Sequence, residues 1–259
     1  MLILLPPSEG KTAPRRGRAL DLGSLWLPEL ADARRRMLDA LTGLCRDEPD
    51  RAATVLGLSR TQLDLVDRNA GLCEAPTARA DRVYSGVLYD ALDAATLPAA
   101  ARRRAASRVA VASSLFGLVR FGDRIPAYRL SGDATVPGVG SVAGFWRDEL
   151  GPAVGAALGK GLVIDLRSSM YAGFWRPPAG LVHRVATVRV LHEVAGRRQV
   201  VSHFNKATKG RLVRELLEDG ADPRTPGELA DVLGALGWKV EMGEPGRKGT
   251  QLDVVVEDL

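Results

Sequence analysis

Residues 198–218 read RQVVSHFNKATKGRLVRELLE. The first part, Arg198–Phe204, is rich in β-branched and apolar residues and predicts a strand. The last part, Arg211–Glu218, repeats its apolar residues at helical spacing and predicts an amphipathic helix. Between them, Asn205–Gly210 brings two lysines to the predicted helix start, where cations are unfavourable unless an anion lies between them. A strand leading directly into a helix indicates an α/β fold, and this junction predicts an anion site.

The rest of the chain alternates short apolar runs with helical patterns. Because helices separate most of these runs, the sequence predicts one α/β domain over residues 1–259, with a mixed β-sheet flanked by helices. The sheet should be parallel in part, and antiparallel where Val182–Leu191 meets Gln199–Phe204 across Ala195-Gly196. The other predicted strands are Leu2–Leu5, Val109–Ala112, Leu162–Leu166, Val182–Leu191 and a C-terminal hairpin of Trp238–Met242 and Leu252–Glu257.

Composition limits the classes of function. The chain has 259 residues, a formal net charge of +5 and a pI near 9.5, which permits a nucleic-acid partner without requiring one. Neither cysteine lies in a CxxC or Cys/His cluster, so we expect no metal site, and no motif calls for a resident cofactor. The N-terminus begins with a strand and two prolines rather than a signal peptide, and no apolar run would span a membrane. We therefore expect a cytoplasmic protein, most simply a monomer.

Hydroxyl residues, a basic group and glycine recur after four predicted strands. In open α/β sheets, ligands bind outside the carboxyl ends of the strands. If these strands are parallel neighbours, their ends should therefore form one cationic site. The four segments are Pro6–Thr12, Ser113–Gly117, Arg167–Tyr171 and His203–Lys206.

The turn after the first strand contains Gly10-Lys11-Thr12 but is not a P-loop. The position five residues before Gly10 is a leucine, and two prolines remove N–H groups that would surround a phosphate. Ser8 and Lys11 instead predict a looser anion-binding turn, with a plain surface loop as an equal alternative. Glu9 could act as an acid or base beside Lys11, or form a solvated ion pair.

A segment dense in arginines and aromatic residues runs from Leu118 to Leu130. Its three arginines, Arg120, Arg124 and Arg129, could clamp phosphate. Its aromatic residues Phe121 and Tyr128 could stack on a base. The alternative is a packed crossover whose arginines pair with carboxylates.

Two further segments have both a functional and a structural interpretation. Arg167 and Ser168 follow a strand containing Asp165, which indicates an orienting pair near a ligand or a purely structural one. Residues 53–71 predict two helices around a turn with Ser59 as N-cap, either a generic αα-hairpin or a unit that binds DNA backbone. The arginine triplet that begins at Arg34 is expected on a solvated helix face.

The chain resembles the YaaA family of bacterial peroxide-stress proteins. The resemblance rests on Leu4–Thr12, Tyr84–Tyr89, Phe116–Leu130, Phe145-Trp146, Val163–Tyr171 and Val201–Arg214. It implies a cytosolic protein that limits iron-dependent oxidative DNA damage. It also implies one α/β domain with a helix-hairpin-helix element, here near residues 53–71, and a positively charged cleft that binds duplex DNA.

The hypothesis that follows is a DNA-associated stress protein. Duplex DNA would bind nonspecifically, and whether the protein is an enzyme stays open. The alternative is a small-molecule enzyme acting on a nucleotide or nucleobase-like metabolite in the same cleft, where a phosphate-bearing ligand would bind. The candidate catalytic residues are Lys206 and Glu9. The candidate anion-binding residues are Ser8, Lys11, Arg120, Arg124, Arg129, Arg167, Ser168, Asn205 and Lys209.

Overall fold

The computed structural model describes residues 1–194, 197–199 and 202–257. The strands are β1 (Leu2–Leu5), β2 (Ala78–Arg79), β3 (Val109–Ser113), β4 (Gly117–Arg120), β5 (Arg124–Ile125), β6 (Thr135–Val136), β7 (Gly140–Ser141), β8 (Val163–Asp165), β9 (Val185–Val194), β10 (Arg197–Gln199), β11 (Lys239–Gly246) and β12 (Gly249–Val256). The α-helices are α1 (Ala31–Asp47), α2 (Pro49–Val55), α3 (Asp64–Ala70), α4 (Ala80–Val83), α5 (Val87–Leu92), α6 (Ala99–Arg108), α7 (Val142–Leu158), α8 (Ser169–Ala172), α9 (Ser202–Asp219) and α10 (Pro226–Ala235).

One mixed sheet organises the domain. Its order is β11-β12-β9-β8-β1-β3-β4, with β10 paired to β9. β1 runs parallel to both neighbours, with Ile3 opposite Val109 of β3 and Leu2 opposite Val163 of β8. All four residues of β1 are buried, which explains its uninterrupted apolar sequence. The predicted α/β class, the mixed sheet and the C-terminal hairpin are confirmed.

The strand predicted through Phe204 is wrong. β10 pairs antiparallel with β9 as predicted, but it ends at Gln199, and α9 already begins at Ser202. Val200 and Val201 lie outside the described residues. Lys206 and Lys209 therefore follow the helix start by four and seven residues. The positive end of a helix dipole acts within the first turn. The helix dipole therefore gives no reason to expect an anion between these lysines.

The early start of α9 follows from its buried face. Thr208, Leu212 and Leu216 are buried at intervals of four, so the helical period of the second half continues into the first. Ser202–Phe204, predicted as part of a strand, belong to this helix, which packs against α5.

Residues 53–71 form two short helices around a turn, as predicted. α2 ends at Val55, Gly57 has a left-handed φ of 61°, and Ser59 is the N-cap of a 3₁₀ turn before α3. The backbone N–H groups of Gly57 and Leu58 donate to Thr54 O at 3.1 Å and Ala53 O at 3.0 Å. Because these two donors already have partners, a helix-hairpin-helix role for the element stays a prediction.

Candidate functional site

Three of the four predicted strand ends meet at one edge of the sheet. β8, β1 and β3 are parallel neighbours, so the turns that follow them lie side by side. The fourth group arrives on a helix: α9 carries Lys206 to this edge, and Lys209 Nζ donates to Leu166 O at 2.9 Å just after β8. The predicted convergence is thus confirmed for three strand ends, while the lysines approach from α9.

Side chains close the turn after β1. Ser8 Oγ donates to Gly10 O at 2.5 Å and accepts the backbone N–H of Ser85 at 3.1 Å. Lys11 Nζ donates to Ser8 O at 2.8 Å. The lysine is therefore folded back over its own turn rather than extended into solvent.

The larger of two neighbouring cavities, called here the large cavity, has a volume of about 550 Å³. Lys206, exposed on α9, contributes an amine, and Tyr89 and Tyr171 contribute aromatic walls. This size and mixture are typical of small-ligand sites. The lining residues are Pro6, Pro7, Ser8, Glu9, Gly10, Ser85, Gly86, Val87, Leu88, Tyr89, Ser131, Ser168, Met170, Tyr171 and Lys206.

The second cavity, called here the lysine cavity, has a volume of about 240 Å³. It lies between the turn after β1, the α3 region and the segment after β5. Glu9 and Gly10 line both cavities, so one turn forms part of the wall of each. The lining residues are Glu9, Gly10, Lys11, Gln62, Leu65, Arg68, Tyr128 and Arg129.

Lys11 has the most altered environment of the candidate residues in these walls. Burial lowers its pKa, the positive charge of Arg129 lowers it further, and Glu9 opposes both; the result is a pKa of about 7. The Lys11 amine also faces the Tyr128 ring, with Nζ 4.3 Å from the ring centroid. Near neutral pH, Lys11 therefore exists in both its charged and its neutral form. Burial likewise lowers the pKa of Lys209 to about 8, against the attraction of Asp165.

A chain of buried hydroxyl groups lies behind the lysine cavity. The hydroxyls of Tyr84 and Tyr128 are 3.1 Å apart, and Ser113 Oγ is 2.7 Å from the Tyr128 hydroxyl. Burial raises the pKa of both tyrosines, so they remain protonated. Sequence reasoning missed this chain because its members come from three distant segments.

Arg129 and Glu9 form an ion pair at the mouth of the lysine cavity, with Arg129 Nη1 3.4 Å from Glu9 Oε2. Asn69 holds the backbone of Arg129 from α3: its Nδ2 donates to Arg129 O at 2.7 Å, and its Oδ1 accepts Arg129 N–H at 2.9 Å. Asn69 is fully buried, so it fixes the helical pair against the cavity wall. No sequence signal distinguished this asparagine.

Three predicted anion-binding arginines point elsewhere. Arg120 stacks on Trp26, with its guanidinium carbon 4.2 Å from the ring centroid, and Arg124 Nη2 donates to Thr77 O at 2.6 Å. Arg167 is buried and forms a bidentate pair with Asp165 at 2.8 and 2.7 Å. The orienting pair inferred from the sequence is thus present, and a contact of these arginines with an anion stays a prediction.

Ser168 and Asn205 differ in accessibility. Ser168 is exposed, lines the large cavity and is the N-cap residue of α8. Asn205 lies on α9 next to Lys206, and its Oδ1 is buried without a hydrogen-bond partner among the described residues. Ser168 is thus placed to meet a ligand of the large cavity, whereas Asn205 is not among the residues that line it.

Two expectations about side-chain exposure are wrong. Phe121 and Tyr128 are 1% and 3% exposed, so their rings pack in the interior and cannot stack on a base. Arg34 is fully buried, and its guanidinium donates to backbone oxygens of Trp26, Leu27, Phe116 and Leu118. The packed-crossover interpretation therefore holds for the aromatic residues, and the first arginine of the triplet binds the 116–118 segment instead of solvent.

Two further properties concern only residues 1–194, 197–199 and 202–257. None of the helices there combines the length and apolar character required to cross a membrane. Nor do His, Cys, Asp and Glu side chains in those ranges come together in a group of three or more that could hold a metal ion.

Comparison with known proteins identifies relatives along the whole chain. The family described as Peroxide stress protein YaaA matches residues 1–242. A UPF0246 protein of Streptomyces coelicolor is 49% identical over the full length of both chains. A UPF0246 protein of Corynebacterium efficiens is 44% identical over 98% of this chain and all of its own, and an uncharacterized protein of Campylobacter jejuni is 24% identical over the full length of both.

Proposed function

This chain belongs to the family of the peroxide stress protein YaaA, and we propose that it binds duplex DNA nonspecifically through the lysine cavity and its rim. In this proposal it acts in the cytoplasm as a monomer and protects DNA against iron-dependent oxidative damage.

The observation that carries the proposal is the meeting of two elements at one cationic surface. The helical pair brings Gln62 and Arg68 to the cavity that Lys11 and Arg129 also line. Arginine presents a planar fork of donors that matches phosphate oxygens. Contacts to the phosphate backbone give affinity without reading sequence, in keeping with nonspecific binding.

The test is the salt dependence of binding to a fluorescent duplex, followed by anisotropy. Each lost phosphate contact should reduce the slope of log K against log salt by about 1. We therefore expect Arg68→Gln with Arg129→Gln to reduce the slope by about 2. The matched control is Arg102→Gln with Arg103→Gln, which removes two exposed charges from α6 and should leave the slope nearly unchanged.

Two results would overturn the proposal. One is wild-type affinity that does not vary with salt, or binding that is undetectable at physiological salt. The other is an equal effect of the cavity variant and the Arg102/Arg103 control, which would show that only net charge matters. Protection is tested separately by nicking of supercoiled plasmid with iron(II) and hydrogen peroxide. Excess wild type should lower nicking, and the cavity double variant should not.

The large cavity supports a second candidate, a small-molecule enzyme acting on a nucleotide or nucleobase-like metabolite. Its volume of about 550 Å³ suits such a ligand, with Lys206 placed to meet a phosphate and Tyr89 a ring. Under this alternative, Lys206→Met should abolish binding of a nucleoside monophosphate in calorimetry. Arg68→Gln should leave that binding intact, which separates the two candidates.

A further inference from the structure

Lys11 is a buried amine without an ion-pair partner. Its Nζ lies 4.3 Å from the ring centroid of Tyr128 and 5.6 Å from that of Tyr84, and it donates to Ser8 O at 2.8 Å. Among the described residues, no carboxylate forms a salt bridge with it.

The position of this amine gives it access to a ligand. Lys11 lines the lysine cavity, so its surroundings are closed on the protein side and open toward a space of about 240 Å³. Removal from water and a second cation nearby both favour the neutral form of a lysine, and the neutral form is the nucleophile. Burial and Arg129 act in this direction here and lower the pKa of Lys11 to about 7.

The other residues that line the lysine cavity define the charge of the ligand that it can hold. Arg68 and Arg129 line the same cavity, and the Nε of Arg129 is buried with no hydrogen-bond partner among the described residues. Glu9 is the carboxylate at this wall, with a side chain that is 89% exposed. An anionic ligand can therefore meet both guanidinium groups without displacing a buried carboxylate.

We propose that Lys11 is a catalytic nucleophile that forms a Schiff base with the aldehyde of a phosphorylated ligand whose phosphate is bound by Arg68 and Arg129. The amine nitrogen bonds to the carbonyl carbon, and the carbonyl oxygen takes up one amine proton to give a carbinolamine. That hydroxyl group then leaves with the second amine proton as water, and the imine remains. No oxidant or further reactant is needed.

One ligand with this chemistry is the open-chain deoxyribose of an abasic site in duplex DNA, which carries phosphates on both sides. For that source the inference rests on the proposed DNA-binding function. A small phosphorylated aldehyde has the same reacting groups and does not depend on it. The sequence-based choice of Lys206 as the catalytic lysine is then replaced by Lys11, because Lys206 is exposed on the wall of the other cavity.

The experiment is reductive trapping with cyanoborohydride, which adds hydride to the imine carbon and makes the bond permanent. One arm uses a duplex with a single abasic site, and the other uses glyceraldehyde 3-phosphate with glyceraldehyde as its control. Peptide mass spectrometry of the wild-type adduct identifies the modified lysine, so the assignment does not depend on a variant that folds. We expect the adduct on Lys11 and at least about tenfold less of it in Lys11→Met.

Matched variants separate chemistry from charge. Lys160→Met removes an exposed lysine and should leave trapping unchanged. The yield should rise about tenfold between pH 6 and pH 8, as the neutral fraction does for a pKa of about 7. The charged and titratable groups facing the amine are Glu9, Arg68, Arg129, Tyr84 and Tyr128, and the tyrosines remain protonated over this range.

The outcomes distinguish this inference from the proposed function. The inference would be overturned by an adduct on Lys206, by an adduct spread over surface lysines, or by no wild-type adduct in either arm. Salt-dependent binding of intact duplex would still support the proposed function in each of these cases. Trapping of glyceraldehyde 3-phosphate on Lys11 without trapping of the abasic duplex supports the inference and identifies a metabolite as the source. Equal trapping of glyceraldehyde and glyceraldehyde 3-phosphate would contradict binding of the phosphate by Arg68 and Arg129.

Discussion

Replacing Gly210 with alanine tests the contact that seats α9 on α5. A β-carbon at Gly210 would lie 2.9 Å from Ala91 Cβ and 2.9 Å from the backbone N of Leu92, and closer still to Leu88 O. Non-bonded carbon contacts normally lie at about 3.5–4.0 Å. Since two of these partners are backbone atoms, the two helices must separate rather than a side chain rotate.

The net loss of stability follows from two opposing effects. Alanine in a helix interior is favoured over glycine by about 1 kcal/mol. Overpacking against fixed atoms costs about 3 kcal/mol, the upper part of the usual range, because the backbone of α5 cannot yield. The difference, about 2 kcal/mol of destabilisation, lowers the midpoint of thermal unfolding by about 4–8 °C in a chain of this size.

The matched control is Gly234→Ala in α10, where an added β-carbon meets nothing within 4 Å. There only the gain in helix propensity applies, so the midpoint should rise by about 2–4 °C. Calorimetry and urea unfolding measure both variants. If Gly210→Ala is as stable as Gly234→Ala, the close approach of α9 and α5 does not exist as described. Since Lys206 lies one turn before Gly210, separation of the helices should also weaken ligand binding in the large cavity.

Three other substitutions test the wall of the lysine cavity and one buried arginine of the fold. Asn69→Ala leaves the backbone N–H and C=O of Arg129 without partners, so urea unfolding should show a loss of about 2–3 kcal/mol; a loss below 0.5 kcal/mol would contradict that clamp. Arg34→Met removes the donor that binds the buried carbonyl groups of Leu27, Phe116 and Leu118 and should cost at least about 3 kcal/mol, whereas a folded variant of wild-type stability would show that these carbonyls find other donors. For Lys11 the folded pKa lies below the unfolded value, so the unfolded chain binds the proton more tightly and wild-type stability rises with pH above about 7. Relative to Lys11→Met, the free energy of unfolding of the wild type should therefore increase by about 2 kcal/mol between pH 7 and pH 9, and a constant difference would refute the shifted pKa.

The central strands could be predicted because burial on both faces leaves a direct mark in the sequence. Leu2–Leu5 is apolar at every position and is followed by two prolines, which end the strand. Which strands lie next to one another could not be predicted, because strand order depends on which crossovers form. The start of α9 was mispredicted for a related reason: Ser202–Phe204 belong to a helix that packs on α5, and the local sequence does not encode that contact.

The candidate site was predictable in its location but not in its chemistry. The turn containing Lys11 was identified by its hydroxyl and basic residues. The groups that surround its amine belong to Tyr84, Tyr128 and Arg129, which are distant from Lys11 in sequence. Arg34 illustrates the opposite problem, since a buried arginine in a basic triplet has the same sequence pattern as a solvated one.

The energetic cost of burying Lys11 argues for a role in chemistry rather than in stability. A lysine whose pKa falls from 10.5 to about 7 makes folding less favourable by about 4 kcal/mol at pH 7. That is a large part of the 5–15 kcal/mol that typically stabilises a domain. A buried ion pair could offset it, yet Lys11 forms none among the described residues, and it donates hydrogen bonds to the Ser8 and Glu9 carbonyl groups of its own turn. A methionine would fill the same volume without this penalty. A fold that nevertheless holds a partly neutral amine at the wall of a cationic cavity has the arrangement expected of a nucleophile, because perturbed groups of this kind concentrate where chemistry needs them.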